Sequence, residues 1–469
     1  MGIKSKIKKM IPSGLVKYYH LFLALLANIF YGFPSNKMIV IGVTGTNGKT
    51  STCNMIAKVL EGNGKIVGMA TTINFKIAEK EWVNTYKQSM LGRFKLQKLL
   101  KEMVNKKCEY VVIETTSQGI EQFRAFGISY DVCVFTNITP EHIEAHKGFE
   151  NYKNAKLKLF KQLESRKEKI INGIKREKVI VANFDDEHIL EFINFKVDKI
   201  IGFSVDREKY KTGTSFVSNK SNITDFINDN KYKFFKAIDI NLGFKETKFK
   251  ISNLNKEETD LNIFLRLTGI FNVYNAIACF SVCNYLGIES NGIKRELEKI
   301  ENISGRMQFV ENSKNIIGIV DYAHDPNSIR GVYENIINIK EDGQKIICVL
   351  GSCGGGRDAN SRFDKGVNAS LYCDYVIITN EDPYDDDPSV IIEDIYKGVV
   401  STGLKKENIT CFKIIDRQMA IKKAVELANA NDIIICTGKG AEKSIVVKDG
   451  EKIEWDEVTI LKKCIENLL

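Results

Sequence analysis

The stretch Ile39-Val40-Ile41-Gly42-Val43-Thr44-Gly45-Thr46-Asn47-Gly48-Lys49-Thr50-Ser51 joins an apolar run, a glycine-bearing turn and a lysine followed by hydroxyls. It reads as a buried strand, a turn and a helix beginning near Lys49, an arrangement suited to polyphosphate. The N–H groups of such a turn can surround phosphate oxygens, and the helix N-terminus adds a favourable field. Lys49 would reach the outer phosphates, and the Thr50 hydroxyl would ligate Mg²⁺. The generic spacing G-x-x-x-x-G-K-[ST] asks for glycine at 43. Val43 stands there, and Gly42 lies one residue early.

Three more positions could serve a metal. Glu114 ends the apolar run 110–113 and precedes Thr115-Thr116-Ser117. A carboxylate at that strand end faces a neighbouring phosphate loop, where Mg²⁺ would sit; taken singly, it could equally cap the next helix. The run 132–135 leads into Thr136-Asn137-Ile138-Thr139-Pro140-Glu141-His142, which places a histidine just past another strand end. A lone histidine is more often structural. Residues 152–160, Tyr-Lys-Asn-Ala-Lys-Leu-Lys-Leu-Phe, form an amphipathic helix. By charge alone Lys156 is one lysine beside Lys153, Lys158 and Lys161, a solvated surface group.

The elements that must position these residues alternate. Apolar runs at 39–43, 66–70, 110–113, 132–135 and 179–181 predict strands of a mostly parallel sheet, with helices between most of them. Ligands of such sheets gather at the carboxyl ends of the strands, where the polar residues above fall. Residues 205–260, rich in Asn, Lys, Asp and Thr, carry no assignable chemistry. A helix from about 272 to 286 closes this unit. A second alternating unit follows Gly305-Arg306, with strands at 316–320, 346–350, 375–379 and 433–436. The expected organisation is a short apolar helical segment over 1–36, a central domain over 37–302 and a C-terminal domain over 303–469. The fold class is α/β: a central P-loop ATP-binding domain with a mostly parallel sheet, plus a Rossmann-like C-terminal domain.

The ordered strings T-G-T-N-G-K-T, E-T-T-S-Q-G, D-V-C-V-F-T-N-I-T-P-E-H and Y-x-x-A-K-x-x-L-F resemble the Mur ligase family, the ATP-dependent amide-bond-forming enzymes of cell-wall synthesis. They look most like its UDP-N-acetylmuramoyl-tripeptide synthetase branch. Further matches follow: Gly269-Ile270-Phe271-Asn272-Val273-Tyr274-Asn275-Ala276 to G-x-F-N-x-x-N-A, Gly305-Arg306-Met307 to G-R-M, and Asp321-Tyr322-Ala323-His324-Asp325-Pro326 to D-Y-A-H-x-P. The resemblance implies ATP contacts from Gly45, Thr46, Asn47, Gly48, Lys49, Thr50, Ser51, Asn137, Asn272, Asn275, Arg306, Asp321 and His324. It implies two Mg²⁺ ions held through Thr50, Glu114, His142 and Lys156, the lysine carbamoylated to an anionic ligand. Lys49, Glu114, His142, Lys156 and Arg306 would be the catalytic set.

The resemblance also implies an amino-acid pocket from Ser117, Arg357, Glu381, Asp382, Tyr384 and Glu442. Gly351-Ser352-Cys353-Gly354-Gly355-Gly356-Arg357-Asp358 resembles G-C-G-G-D-R-D, whose Arg would grip a carboxylate with a bidentate fork. The family's D-N-P-R, whose Arg selects meso-diaminopimelate, is here Glu381-Asp382-Pro383-Tyr384, followed by Asp385, Asp386 and Asp387. An acidic loop without that Arg favours a cationic side chain such as lysine. Gly438-Lys439-Gly440-Ala441-Glu442 resembles G-K-G-H-E, with Ala441 in place of the His.

The implied reaction is ADP-forming. A carboxylate, expected on a UDP-muramoyl peptide, attacks the γ-phosphate, and an amino acid's amine then displaces phosphate from the acyl phosphate. A Mur-like ligase with another substrate, of folylpolyglutamate or glutaminase-coupled type, and a non-catalytic nucleotide-binding module are the alternatives. The intact Lys49, Thr50, Glu114, His142 and Lys156 set argues against the module.

Composition agrees with a folded protein: 469 residues, 43% hydrophobic and 27% charged. The net charge of +9 comes without basic residues interleaved with aromatics, so no nucleic-acid partner is expected. The eleven cysteines include no C-x-x-C pair and read as buried thiols of a reducing cytoplasm. A monomer is expected. Residues 1–36 stand where the family carries its UDP-sugar-binding domain. Lys4, Lys6, Lys8 and Lys9 precede an apolar stretch from 15 to 33, broken by Lys17 and His20. Two readings of it stay open: a helix packed on the first domain, and a helix lying on a membrane surface.

Overall fold

The computed structural model describes residues 13–86, 88–140, 146–208, 210, 226–255, 260–356 and 359–467, with side chains described from residue 16 onward. His142 and Arg357 therefore lie outside the described residues, as do most of the basic leader and part of the 205–260 segment.

The strand Ile39–Thr44 is buried at every position and lies mid-sheet, parallel to Tyr110–Glu114 on one side and Val132–Phe135 on the other. Among the described residues this sheet has eleven strands. Beyond Val132–Phe135 come Val179–Asn183, Lys199–Val205 and Tyr232–Leu242, each parallel to the last. Beyond Tyr110–Glu114 lies Val67–Ala70, also parallel, and then the antiparallel pair Asn74–Ile77 and Lys80–Val83. Side chains alternate between two cores, as the pleat requires. Ile39, Ile41 and Val43 point toward the helices Lys49–Gly62 and Ile270–Tyr285. Val40 points toward Arg93–Asn105 and Phe149–Ser165.

The polar 205–260 stretch holds structure the composition hid. Tyr232–Leu242, Thr247–Asn253 and Leu261–Leu265 extend the sheet, the last two antiparallel. In the last two, Lys248, Lys250 and Asn262 lie on one face while Phe249, Ile251 and Ile263 are buried on the other. The domain closes with a second helix, Ser290–Glu298, after Ile270–Tyr285.

The C-terminal sheet runs, in spatial order, Gln308–Val310, Ile317–Asp321, Ile433–Thr437, Ile346–Leu350, Tyr375–Ile378 and Cys411–Lys413. All pairs but the first are parallel. Pro326–Ile339, Arg362–Tyr372 and Pro388–Ser401 cover one face; Arg417–Leu427 and Glu457–Glu466 cover the other. The α/β class and the mostly parallel sheets are as expected. At the junction Gly305 adopts φ +65°, and an added Cβ there would stand 2.6 Å from the Gly440 carbonyl carbon. Only glycine suits that crossing.

The leader forms a helix, Ser13–Tyr31, against the central domain. Asn28 Nδ2 donates to the Phe126 carbonyl at 2.9 Å, and Ser35 Oγ accepts the Ser129 amide at 3.0 Å. Among the described residues no helix is long and apolar enough to cross a membrane.

Candidate active site

The turn between Thr44 and Lys49 is held from behind by the loop after Val132–Phe135. The Asn137 carbonyl accepts the Thr46 amide at 2.8 Å, and its Oδ1 accepts the Asn47 amide at 2.9 Å. Thr136 Oγ1 and Asn137 Nδ2 both donate to the Asn47 carbonyl. Gly45 lies so close that a Cβ would stand 2.9 Å from the Asn137 carbonyl oxygen and overlap Thr136 Oγ1. Gly48, at φ +81°, precedes the helix, and a Cβ there would overlap Asn275 Oδ1. The displaced glycine also has a reason. A Cβ at Gly42 would stand 2.6 Å from the Tyr130 ring, whereas Val43 fills the apolar core on the opposite face. Lys49 Nζ donates to the Thr46 carbonyl at 2.5 Å. Ser51 is buried in the first turn of the helix.

Thr50 and Glu114 meet directly, Oγ1 to Oε2 at 2.9 Å. The Glu114 carboxylate also accepts the Thr72 amide and hydroxyl, each at 2.8 Å, a partner that sequence reading missed. A buried hydroxyl and carboxylate beside a phosphate turn are hard oxygen donors, so this pair fits Mg²⁺. Lys156 is 1% exposed, its Nζ donating to the Gly45 carbonyl at 2.5 Å and lying 4.4 Å from the Tyr152 ring centre. The other lysines of that helix differ: Lys153 pairs with Glu150 and Glu191, and Lys158 with Glu121 at the surface. Ser117 Oγ lies 3.1 Å from His146 Nε2. His146 was not singled out in the sequence; its only signal was its place four residues after His142.

The rest of the expected nucleotide contacts come from both sides of the junction at Gly305. Asn272 and Asn275 hydrogen-bond to each other at 3.1 Å, and Thr52 Oγ1 donates to Asn275 at 3.2 Å. Arg306 Nη2 reaches Thr50 Oγ1 at 3.2 Å, and its guanidinium lies 4.7 Å from the Tyr322 ring centre. Arg306 Nε is buried without a hydrogen-bond partner. Asp321 accepts the amides of Met307 and Ala323, both at 2.7 Å; burial pushes its carboxyl above the usual range, partly offset by Arg306. His324 Nδ1 lies 3.1 Å from the Tyr322 carbonyl. Ser328, missed in the sequence, donates to Asn47 Oδ1 at 2.8 Å and ties the C-terminal domain to the phosphate turn.

The acidic loop is less uniform than its sequence. Asp387 caps the helix Pro388–Ser401, Asp385 accepts the Asp449 amide, and Asp386 accepts the Gly355 amide and faces Arg362 at 3.5 Å. Asp382 pairs with the fully buried Lys439 at 3.0 Å, and Glu442 pairs with the same lysine. Glu381 is different: it is 3% exposed, Oε1 accepts the Cys353 thiol at 3.2 Å, and Oε2 has no hydrogen-bond partner. Tyr384 takes φ +52° and its amide donates to the Val446 carbonyl. Beneath these loops Arg417 bonds Glu457, the Asn380 carbonyl and the Thr437 carbonyl, fixing two strand ends together.

Two family descriptions match the chain: the Mur ligase middle domain over residues 43–283, and the Mur ligase, glutamate ligase domain over 305–440. A UDP-N-acetylmuramyl-tripeptide synthetase of Roseiflexus sp. is 33% identical over 460 residues, covering 98% of this chain and 84% of that one. A UDP-N-acetylmuramoyl-L-alanyl-D-glutamate--2,6-diaminopimelate ligase of Clostridium botulinum is 32% identical over 452 residues, 95% of this chain and 82% of that one. The solved structure of a ligase of that second name superposes with a TM-score of 0.57 at 25% identity, covering 92% of this chain and 78% of the other. With a phosphate turn, a buried Thr50–Glu114 pair and a second domain reaching both, the chain belongs to the Mur ligase family of ATP-dependent amide ligases.

Proposed function

We propose that the protein adds an amino acid to the free carboxyl group of a UDP-N-acetylmuramoyl peptide, forming ADP, as a step of peptidoglycan precursor synthesis. The observation that carries this reading is the meeting of the two domains at the phosphate turn, where Arg306 reaches Thr50 and Ser328 reaches Asn47. The names of the two relatives above support it. The acceptor carboxylate attacks the γ-phosphorus, and the amine then displaces phosphate from the acyl phosphate. Lys49, Arg306 and the helix N-terminus at Thr50 offset the charge that develops in both steps. Mg²⁺ would neutralise phosphate charge, with Thr50 and Glu114 as its protein oxygens, and His142 with carbamoylated Lys156 serving a second ion. Closure of the C-terminal domain would bring the amine to the acyl phosphate.

The amine is lysine, or another amino acid with a cationic side chain. Asp385, Asp386 and Asp387 no longer support this, because each serves its own loop. Glu381 does, because its unpartnered Oε2 would stabilise an ammonium group and repel a second carboxylate. The test is ADP release with UDP-N-acetylmuramoyl-L-alanyl-D-glutamate, comparing L-lysine with meso-diaminopimelate. Lysine is expected to give a kcat/KM about tenfold higher or more, narrowing in Tyr384→Arg. Preference for meso-diaminopimelate would refute the role given to Glu381. Absence of ADP release with either amine would refute the muramoyl substrate.

A further inference from the structure

The helix Ser13–Tyr31 is built inside out. Its small residues Ala24 and Ala27, with Asn28, are buried against the central domain. Its large apolar residues point away: Tyr18 is 73% exposed and Phe30 75%, and Phe22, Leu25, Leu26 and Ile29 are exposed between them. At 100° per residue these side chains share one face, so the helix packs by its narrow small-residue stripe and presents a continuous apolar surface. Monomeric soluble proteins rarely leave such a face uncovered.

Charge decides what covers it. Residues 1–37 contain six lysines (Lys4, Lys6, Lys8, Lys9, Lys17 and Lys37), and the first carboxylate side chain in the sequence is Glu61. A second copy docked by the same face would bring the same uncompensated positive charge, which opposes self-association. The helix is not long and apolar enough to cross a bilayer, and Asn28 ties it to the domain at the Phe126 carbonyl. Aromatic residues on an apolar face beside a polybasic run suit the boundary between headgroups and acyl chains.

We propose that this helix docks the enzyme on an anionic lipid surface, lying in the interface plane with Phe22 and Phe30 inserted, the net positive charge of the first 37 residues favouring anionic headgroups. The phosphate turn and the Thr50–Glu114 pair lie outside the helix, so docking by its apolar face uses none of those side chains.

The experiment is vesicle flotation of the full chain with phosphatidylglycerol–phosphatidylcholine vesicles and with phosphatidylcholine alone. Binding to the anionic vesicles, weakened by salt, is expected. Phe22→Ser with Phe30→Ser should weaken binding about tenfold or more, with thermal unfolding unchanged because both side chains are exposed. Lys4, Lys6, Lys8 and Lys9 all changed to Gln should remove the preference for anionic lipid while leaving the helix intact. Failure of the unaltered protein to float with anionic vesicles at low salt would overturn the proposal. So would undiminished binding by both variants, or a lipid-free dimer that dissociates on the phenylalanine changes.

Discussion

Replacing Gly48 with alanine tests how the phosphate turn is built. Gly48 adopts φ +81°, where a Cβ costs about 1–2 kcal/mol in backbone strain. The new carbon would overlap Asn275 Oδ1 and lie 3.4 Å from Asn275 Cγ. Asn275 is not free to swing aside: its amide donates to Asn272 at 3.1 Å, and Thr52 donates to its Oδ1 at 3.2 Å. Displacing it disturbs two hydrogen bonds at about 1 kcal/mol each. The expected loss for Gly48→Ala is therefore about 3–4 kcal/mol. Asn275→Ala alone should cost about 2 kcal/mol through the same two bonds. The double variant keeps the strain but has no Oδ1 to meet, so it should lose about 2 kcal/mol less than the sum of the single changes. Urea unfolding of the four proteins, followed by circular dichroism, measures this coupling, and nucleotide titration shows whether affinity falls with it. Additive losses would mean that the two side chains do not meet, and would refute the reasoning.

Lys156→Ala should lower turnover about a hundredfold or more, and activity of the unaltered protein should depend on bicarbonate; full ligation by the variant would sink the role given to this lysine. Asp186 holds the Ile138 amide at 2.7 Å and the His188 amide at 2.9 Å, and burial pushes its carboxyl up to about 6. A carboxyl raised above its unfolded value stabilises the fold fully below about pH 4, and that contribution is lost as pH rises through about 6. Asp186→Asn should thus gain up to about 3 kcal/mol relative to the unaltered protein between pH 4 and pH 7, by urea midpoints; a constant difference would contradict the shift. Arg417→Met leaves Glu457 buried and unpaired and should cost about 3–5 kcal/mol, mostly recovered by adding Glu457→Leu; a loss below about 1 kcal/mol would show the pair to be dispensable.

Much of the fold was legible because its signals are local. A buried parallel strand is a short apolar run, and a phosphate turn needs its glycines, lysine and hydroxyl within a few residues. The 205–260 stretch was not legible, because edge strands exposed on one face carry Lys and Asn at alternate positions and look like loop by composition.

The order of the motifs was enough to identify the family and to single out Lys49, Thr50 and Glu114, since each belongs to a contiguous string. Only tertiary structure separated chemically identical neighbours. Lys153, Lys156 and Lys158 are equivalent by charge, yet one salt-bridges at a buried position, one donates to the phosphate turn and one stays at the surface. Asp385, Asp386 and Asp387 form one acidic run in the sequence, but the backbone path sends each to a different partner and leaves Glu381 with the unpartnered oxygen. The leader's hydrophobicity announced a helix, but not which side would be covered. That was decided by Ala24 and Ala27, whose small side chains alone let the helix close on the domain and turned its aromatic face outward.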